Sequence, residues 1–168
     1  MQRNLGRVEA FSDGVLAIVI TLLVLEIRVP HLHDALSGAE ALAALRVLIP
    51  KFGSFLLGFA YVAIFWVNHH RFFTLLRESD SNFVWLNNLL LLFLCFIPFP
   101  TAFIGEYPSN AVSLALFALV LMGAGAVFTA MWHYAYHRGL MNRSVSETIF
   151  SLAPAFFFFH SKGKLPSE

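Results

Sequence analysis

The residues able to do chemistry crowd into the first apolar stretch of the chain. Residues 7–28 read RVEAFSDGVLAIVITLLVLEIR, and only twelve of them, 14–25, lie free of charge between Asp13 and Glu26. As a helix those residues cover about 18 Å, against a hydrocarbon core of about 30 Å. If the helix spans a bilayer, its charged shoulders (Arg7, Glu9, Asp13, Glu26 and Arg28) must face protein or water. An ionisable group at membrane depth costs at least about 2.5 kcal/mol unless paired or hydrated, which makes Asp13 a functional candidate.

Spacing says more than hydropathy. At about 100° per residue, Arg7, Phe11, Gly14, Ile18, Thr21, Leu25 and Arg28 fall in one stripe, alternately four and three residues apart. Glu9, Asp13, Ala17, Ile20 and Val24 form a second stripe about a quarter-turn away. The first carries medium-sized apolar side chains and one hydroxyl, with arginine at both ends. The second presents carboxylates near its amino-terminal end. A pore wall beside a polar packing seam has this pattern. So has a heptad-like seam between ordinary membrane helices, and spacing leaves both open.

The surrounding chain is built for a membrane. Of its 168 residues, 58% are hydrophobic and 12% charged, where a soluble domain carries about 25% charged. The net charge of +1 and the lack of a basic block point away from nucleic acid. Cys95, the single cysteine, lies in an apolar run and reads as a buried thiol without a disulfide partner in the chain. Acidic residues interrupt the first stretch, which therefore does not read as a secretory signal. No nucleophile stands with its base and no phosphate-binding loop occurs, so the expectation is a non-enzyme with no cofactor and no metal.

The fold class expected is all-α, a polytopic membrane helical bundle in one domain over residues 1–168. Spans are expected at about 7–28, 44–74, 82–105 and 110–137. A short fifth segment, 145–160, falls below the usual length of about 20 residues for a span. Pro50 either kinks the second helix or marks its true start, and Pro98 and Pro100 break or bend the third. Gly123 and Gly125 are small enough to let neighbouring helices approach closely. The linker holding Pro30, His31, His33, Asp34 and Gly38 reads as an exposed loop.

Lysine and arginine orient the bundle. With the amino terminus inside, six basic residues lie on that side (Arg3, Arg7, Arg71, Arg77, Arg138, Arg143) and three outside (Arg28, Arg46, Lys51). The expected location is the cell membrane, multi-pass, with a cytoplasmic amino terminus. Lys162 and Lys164 stay inside only if the fifth segment is re-entrant.

Arg7, Phe11, Ser12 and Asp13 spell R-x-x-x-F-S-D at the start of the first helix. Trp66, His69 and Arg71 give W-x-x-H-x-R at the end of the second, Leu86 and Asn87 open the third, and Pro98 follows in the run FIP. The set, in this order, resembles the transmembrane-protein-175 family, the lysosomal potassium channels and their bacterial relatives, over about residues 3–138. The resemblance implies a homotetramer, six helices per subunit, and a pore lined by the first helices with bulky apolar side chains at its constriction. It places Ile18, five residues after the motif's aspartate, at that constriction, with Thr21 and Leu25 further along the same face. The carboxyl end departs from the pattern, with a short fifth segment and no sixth helix, which puts peripheral packing and assembly in doubt.

Selectivity in such a pore falls to side chains, since no T-V-G-Y-G-type loop supplies a filter of backbone carbonyls. Ile18 and Leu25 would gate by hydrophobicity, and four copies of Thr21 would ring the pore with weak oxygen ligands for potassium. A Thr21 hydroxyl turned to the carbonyl four residues back is the alternative. Arg7, Phe11, Ser12, Asp13, Trp66, His69 and Asn87 are read as a motif and structural network that fixes how the pore helix leans. In it Asp13 accepts from His69, Trp66 or Asn87. A carboxylate neighbour would make His69 pH-sensitive. His133 and His137 stand four apart on a helix, the spacing of a possible metal pair, but lack the glutamate of H-E-x-x-H and sit among Trp132, Tyr134 and Tyr136, so they read as part of an interfacial aromatic belt. Glu26 and Arg28 either ring the outer mouth or form a solvated pair. The resulting expectation is a potassium-permeable cation channel whose partners are further copies of itself, membrane lipid and monovalent cations. A proton-coupled or cation carrier using Asp13 and His69, or a membrane assembly subunit that transports nothing, are the alternatives.

Overall fold

The first helix, α1, begins where the chain turns apolar and ends where charge returns, at Leu5–Leu25. The computed structural model describes residues 5–28 and 37–142. The expected fifth segment at 145–160, and His31 and His33 of the linker, lie outside the described residues.

Caps and prolines set the other boundaries. Ser37 opens α2 (Gly38–Val47) with a capping box: the Glu40 N–H donates to its hydroxyl, and its own N–H donates to the Glu40 carboxylate at 2.8 Å. Leu48 separates α2 from α3 (Ile49–Thr74), with Pro50 in the first turn of α3, where a missing N–H forfeits no helical bond. Pro50 thus starts a new helix rather than kinking one. Asp80 caps α4 (Ser81–Phe96) by accepting from the Phe83 N–H. Pro98 has no N–H for the Leu94 carbonyl, which accepts instead from Ile97 at 3.1 Å, and the helix breaks there before α5 (Pro98–Glu106). Asn110 caps α6 (Ala111–His137). Gly139, at φ +65°, ends α6 in a Schellman turn, its N–H bonding Tyr136 and that of Leu140 bonding Ala135. The chain then pairs Met141 with Leu76, tying the exit of α6 to that of α3.

Four stretches are long and apolar enough to cross a membrane: α1, α3, α4 with α5, and α6. The protein is a multi-pass helical membrane bundle, with no named strand among the described residues. α1 lies against α3, α4 and α5, while α6 packs on α4 and α5. At the end holding the start of α1, Phe72, Phe73 and Phe83 are buried, and Phe72 stacks on Trp132 with centroids 4.5 Å apart. Cys95 is exposed, contrary to expectation. In a membrane bundle an apolar neighbourhood marks an outer surface as readily as a core, because lipid is as apolar as leucine.

Close approach at the other end depends on Gly58. A Cβ there would stand 2.8 Å from Thr101 Oγ1 and 3.1 Å from Leu23 Cδ2. Thr101 is buried and bonded to the Ile97 carbonyl, so it has nowhere to swing. Of the two glycines expected to admit a neighbour in α6, Gly123 receives the Phe93 ring and Gly125 faces open space.

Two outcomes follow from these contacts. Gly58→Ala should lower thermal stability in detergent by about 1–3 kcal/mol through overpacking, while Gly125→Ala should be neutral or gain about 0.5–1 kcal/mol from helix propensity. Glu40, outside the spans, is held below the usual carboxylate range by the Ser37 backbone N–H and then by the Ser37 hydroxyl. Its capping contribution is therefore complete above the ordinary carboxylate pKa and lost as pH falls through the depressed one. An acid titration followed at the Ser37 amide by NMR should show that release, and Glu40→Gln should flatten it.

Candidate functional site

One face of α1 is buried and the opposite face exposed. Its inward face is Ser12, Leu16, Val19 and Leu23, all buried. The start of this face is polar. The Asn87 amide, from α4, donates to Ser12 Oγ at 2.9 Å, and Ser12 Oγ donates to the Val8 carbonyl of its own helix. The Asn87 carbonyl oxygen is then the acceptor for His69 Nε2 of α3, 2.9 Å away, which puts the His69 proton on Nε2. Ser12, His69 and Asn87 are each 0% exposed, so one chain of interior bonds joins three helices.

A second set of bonds runs beside it. Trp66 Nε1 donates to Asp13 Oδ1 at 3.0 Å, and His70 Nδ1 lies 3.2 Å from Glu9 Oε1. Glu9 and Asp13 are one helical turn apart on α1. Trp66 and His70 are one turn apart on α3, with their rings stacked. Two carboxylates thus meet two ring nitrogens in register across antiparallel helices. The two carboxylates of the amino-terminal shoulder of α1 are answered by protein.

Of the three donors open to Asp13, the structure selects Trp66, and His69 bonds Asn87 rather than a carboxylate. Arg7 and Phe11 stand outside the network, both exposed. The pairing of Glu9 with His70 was missed in the sequence. Its signal was there: each residue lies one turn from a motif residue, on facing helices.

The outward face is the stripe Arg7, Phe11, Gly14, Ile18, Thr21, Leu25 and Arg28, exposed throughout, with Ile18 at 59% and Leu25 at 67%. It is no seam within the subunit; that seam is the buried Ser12–Leu23 line on the far side of the helix. The second stripe divides, with Glu9, Asp13 and Ile20 partly buried and Ala17 and Val24 exposed. The Thr21 hydroxyl donates to the Ile18 carbonyl, three residues back rather than four, at 2.8 Å. Its hydrogen is tied to the helix while its oxygen lone pairs stay available. Glu26 and Arg28 do not pair. Glu26 instead lines a small cavity with Lys51, Ser54 and Thr101, where Lys51 bridges to Glu106 at 2.7 Å.

The helices that carry these bonds coincide with a known family. The family model described as the endosomal/lysosomal potassium channel TMEM175 matches residues 7–98, more than half of the chain. The chain belongs to the TMEM175 family. A potassium channel of Chamaesiphon minutus is 43% identical over 137 residues, 80% of this chain and 67% of that protein. A potassium channel of Streptomyces collinus is 38% identical over 138 residues, 80% of this chain and 66% of that protein. The human endosomal/lysosomal proton channel TMEM175 is 35% identical over 133 residues, 78% of this chain and 26% of that protein. The chain therefore spans about two thirds of these bacterial relatives and about a quarter of the human one. Among solved structures, that of a lysosomal potassium-selective channel TMEM175 homolog from Chamaesiphon minutus aligns with a TM-score of 0.73 at 37% identity, covering 91% of this chain and 82% of that one.

The geometry ranks the TMEM175 motif residues by consequence. Asn87→Leu strands the His69 N–H and leaves Ser12 without its donor, at about 1–3 kcal/mol for each group left unpaired. Trp66→Phe should cost less, because Asp13 is partly exposed and regains water. Thermal melting in detergent should therefore place Asn87→Leu well below Trp66→Phe. The reverse order would put the lock at Asp13.

Proposed function

We propose that this chain is a subunit of a potassium-permeable cation channel in which the first helices of four copies line a central pore. The observation that carries the reading is the outward stripe of α1. It is apolar, free of charge between Arg7 and Arg28, and exposed, on a helix whose opposite face is pinned by buried polar bonds. The names of the bacterial relatives as potassium channels support the same reading.

In that assembly four Ile18 side chains form the narrowest ring, and Leu25 a second ring about two turns on, roughly 10 Å away along the axis. Such apolar rings resist wetting and so act as gates. Thr21 lies between them, its oxygen turned outward and its hydrogen held by Ile18, which makes it an acceptor for a partly dehydrated cation. Selection by four hydroxyl oxygens on intact helices is modest, and potassium, easily dehydrated, is the ion it favours. The basic residues Arg7, Arg71, Arg77 and Arg138 share one end of the bundle, and Arg28, Arg46 and Lys51 the other. The amino terminus is accordingly cytoplasmic, in the cell membrane.

The carrier alternative needs a proton exchanged between Asp13 and His69. Asp13 is bonded to Trp66 and His69 to Asn87, which favours the channel.

The test contrasts two positions. Ile18→Asn should raise potassium flux into liposomes and weaken discrimination against sodium, with oligomer size unchanged. Ile20→Asn, on a residue packed against the core, should lower stability and leave flux per folded channel alone. Loss of buried methylenes costs about 2–5 kcal/mol, so melting is measured first. If Ile20→Asn opens the conductance and Ile18→Asn does not, the pore lies on another face.

A further inference from the structure

We propose that His133 and His137 form a binding site for a divalent transition-metal ion of zinc-like chemistry at the end of α6. The two imidazoles stand one turn apart on a regular helix, both exposed, with their Nε2 atoms 3.1 Å apart. Two nitrogens bound to one tetrahedral zinc at about 2.0–2.1 Å would be separated by about 3.3 Å. The pair therefore needs almost no rearrangement to share an ion. Without one, a single proton lies between the nitrogens and one imidazole donates to the other. With one, both rings carry their proton on Nδ1 and turn both Nε2 lone pairs to the metal.

The support is rigid and electrostatically suited. Tyr134, between the two histidines, donates to Asp80 at 2.7 Å and fixes this turn of α6 to the start of α4. The last turn of a helix carries partial negative charge, which favours a cation. No third metal-ligating side chain joins the pair among the described residues, so water completes the coordination shell and the ion exchanges readily. The site is independent of the outward face of α1 and of the polar bonds behind it. The missing glutamate of H-E-x-x-H removes a hydrolytic base, not the two ligands.

The test uses the full chain in detergent, freed of any polyhistidine tag, titrated with zinc chloride by calorimetry. Wild type should bind zinc. His133→Ala and His137→Ala should each weaken that binding at least about tenfold, the loss seen when even an outer-shell partner of a metal site is removed. His137→Ala combined with Arg138→His keeps two histidines but at the wrong spacing, and should not restore binding. His31→Ala with His33→Ala should leave it intact. Zinc should raise the melting temperature of wild type and not of His133→Ala, and His133→Gln serves if the alanine variant melts early. Unchanged zinc affinity in both single variants, or loss of binding on removing His31 and His33 instead, would overturn the site.

Discussion

A helix with two carboxylates just before its charge-free stretch cannot be set in lipid until those carboxylates have partners, and the bundle is organised by that requirement. Glu9 and Asp13 are one turn apart, so their partners must come from a neighbour offering two donors at the same pitch. α3 supplies His70 and Trp66 in antiparallel register. A slip of one residue between the helices would turn each donor about 100° from its acceptor and break both contacts at once. The stake is at least about 2.5 kcal/mol for an unanswered charge at membrane depth. Asn87 then reads the neighbouring face of α1 through Ser12 and ties it to His69. Three helices are registered at one end of the membrane by polar bonds that the apolar packing alone could not specify.

The other end is registered by shape. Pro98 interrupts the third crossing, and α5 continues from the break so that Thr101 closes on Gly58, as Leu23 of α1 does. Between the polar end and the close-packed end lie only Leu16 and Val19, which need no special partners. α1 is thus held along one face at both ends. Its exposed face is apolar, but apolar exposure to lipid carries no penalty and cannot by itself force association. What distinguishes the stripe is the arginine at each end and the single hydroxyl at its middle.

Periodicity was the most legible part of the sequence. The Ile18, Thr21 and Leu25 stripe could be drawn from four-and-three spacing, and those residues do share one exposed face. The network was legible as a set of residue types, yet spacing could not say whether Asp13 would take Trp66, His69 or Asn87. That choice depends on the rotation of α3 about its own axis, which only packing settles. The W-x-x-H pattern ends at His69 and does not single out His70, although the turn-to-turn spacing links Trp66 to His70. Cys95 and Gly125 were misplaced for a shared reason. Hydropathy sorts inside from outside in water but not in lipid, so an apolar or small residue in a span carries little information about burial. α2 did not stand out as a separate helix, since Leu48 interrupts the pattern for a single residue.

On the channel reading, the aim of Ile18 is set five and six residues away. Asp13 and Ser12 fix the rotation of α1 about its axis, and each residue of error would swing the constriction by about 100°. Thr21 is subject to the same rotation and also to its own bond with Ile18, which leaves its oxygen no freedom to follow a misplaced ion. A filter of backbone carbonyls surrounds an ion with many oxygens along its path, whereas a single hydroxyl ring on four helices offers few. Discrimination must then come from how closely the rings approach, a property of helix rotation more than of ligand number. The polar bonds behind the helix touch no ion, yet on this reading they set the bore through which the ion must pass.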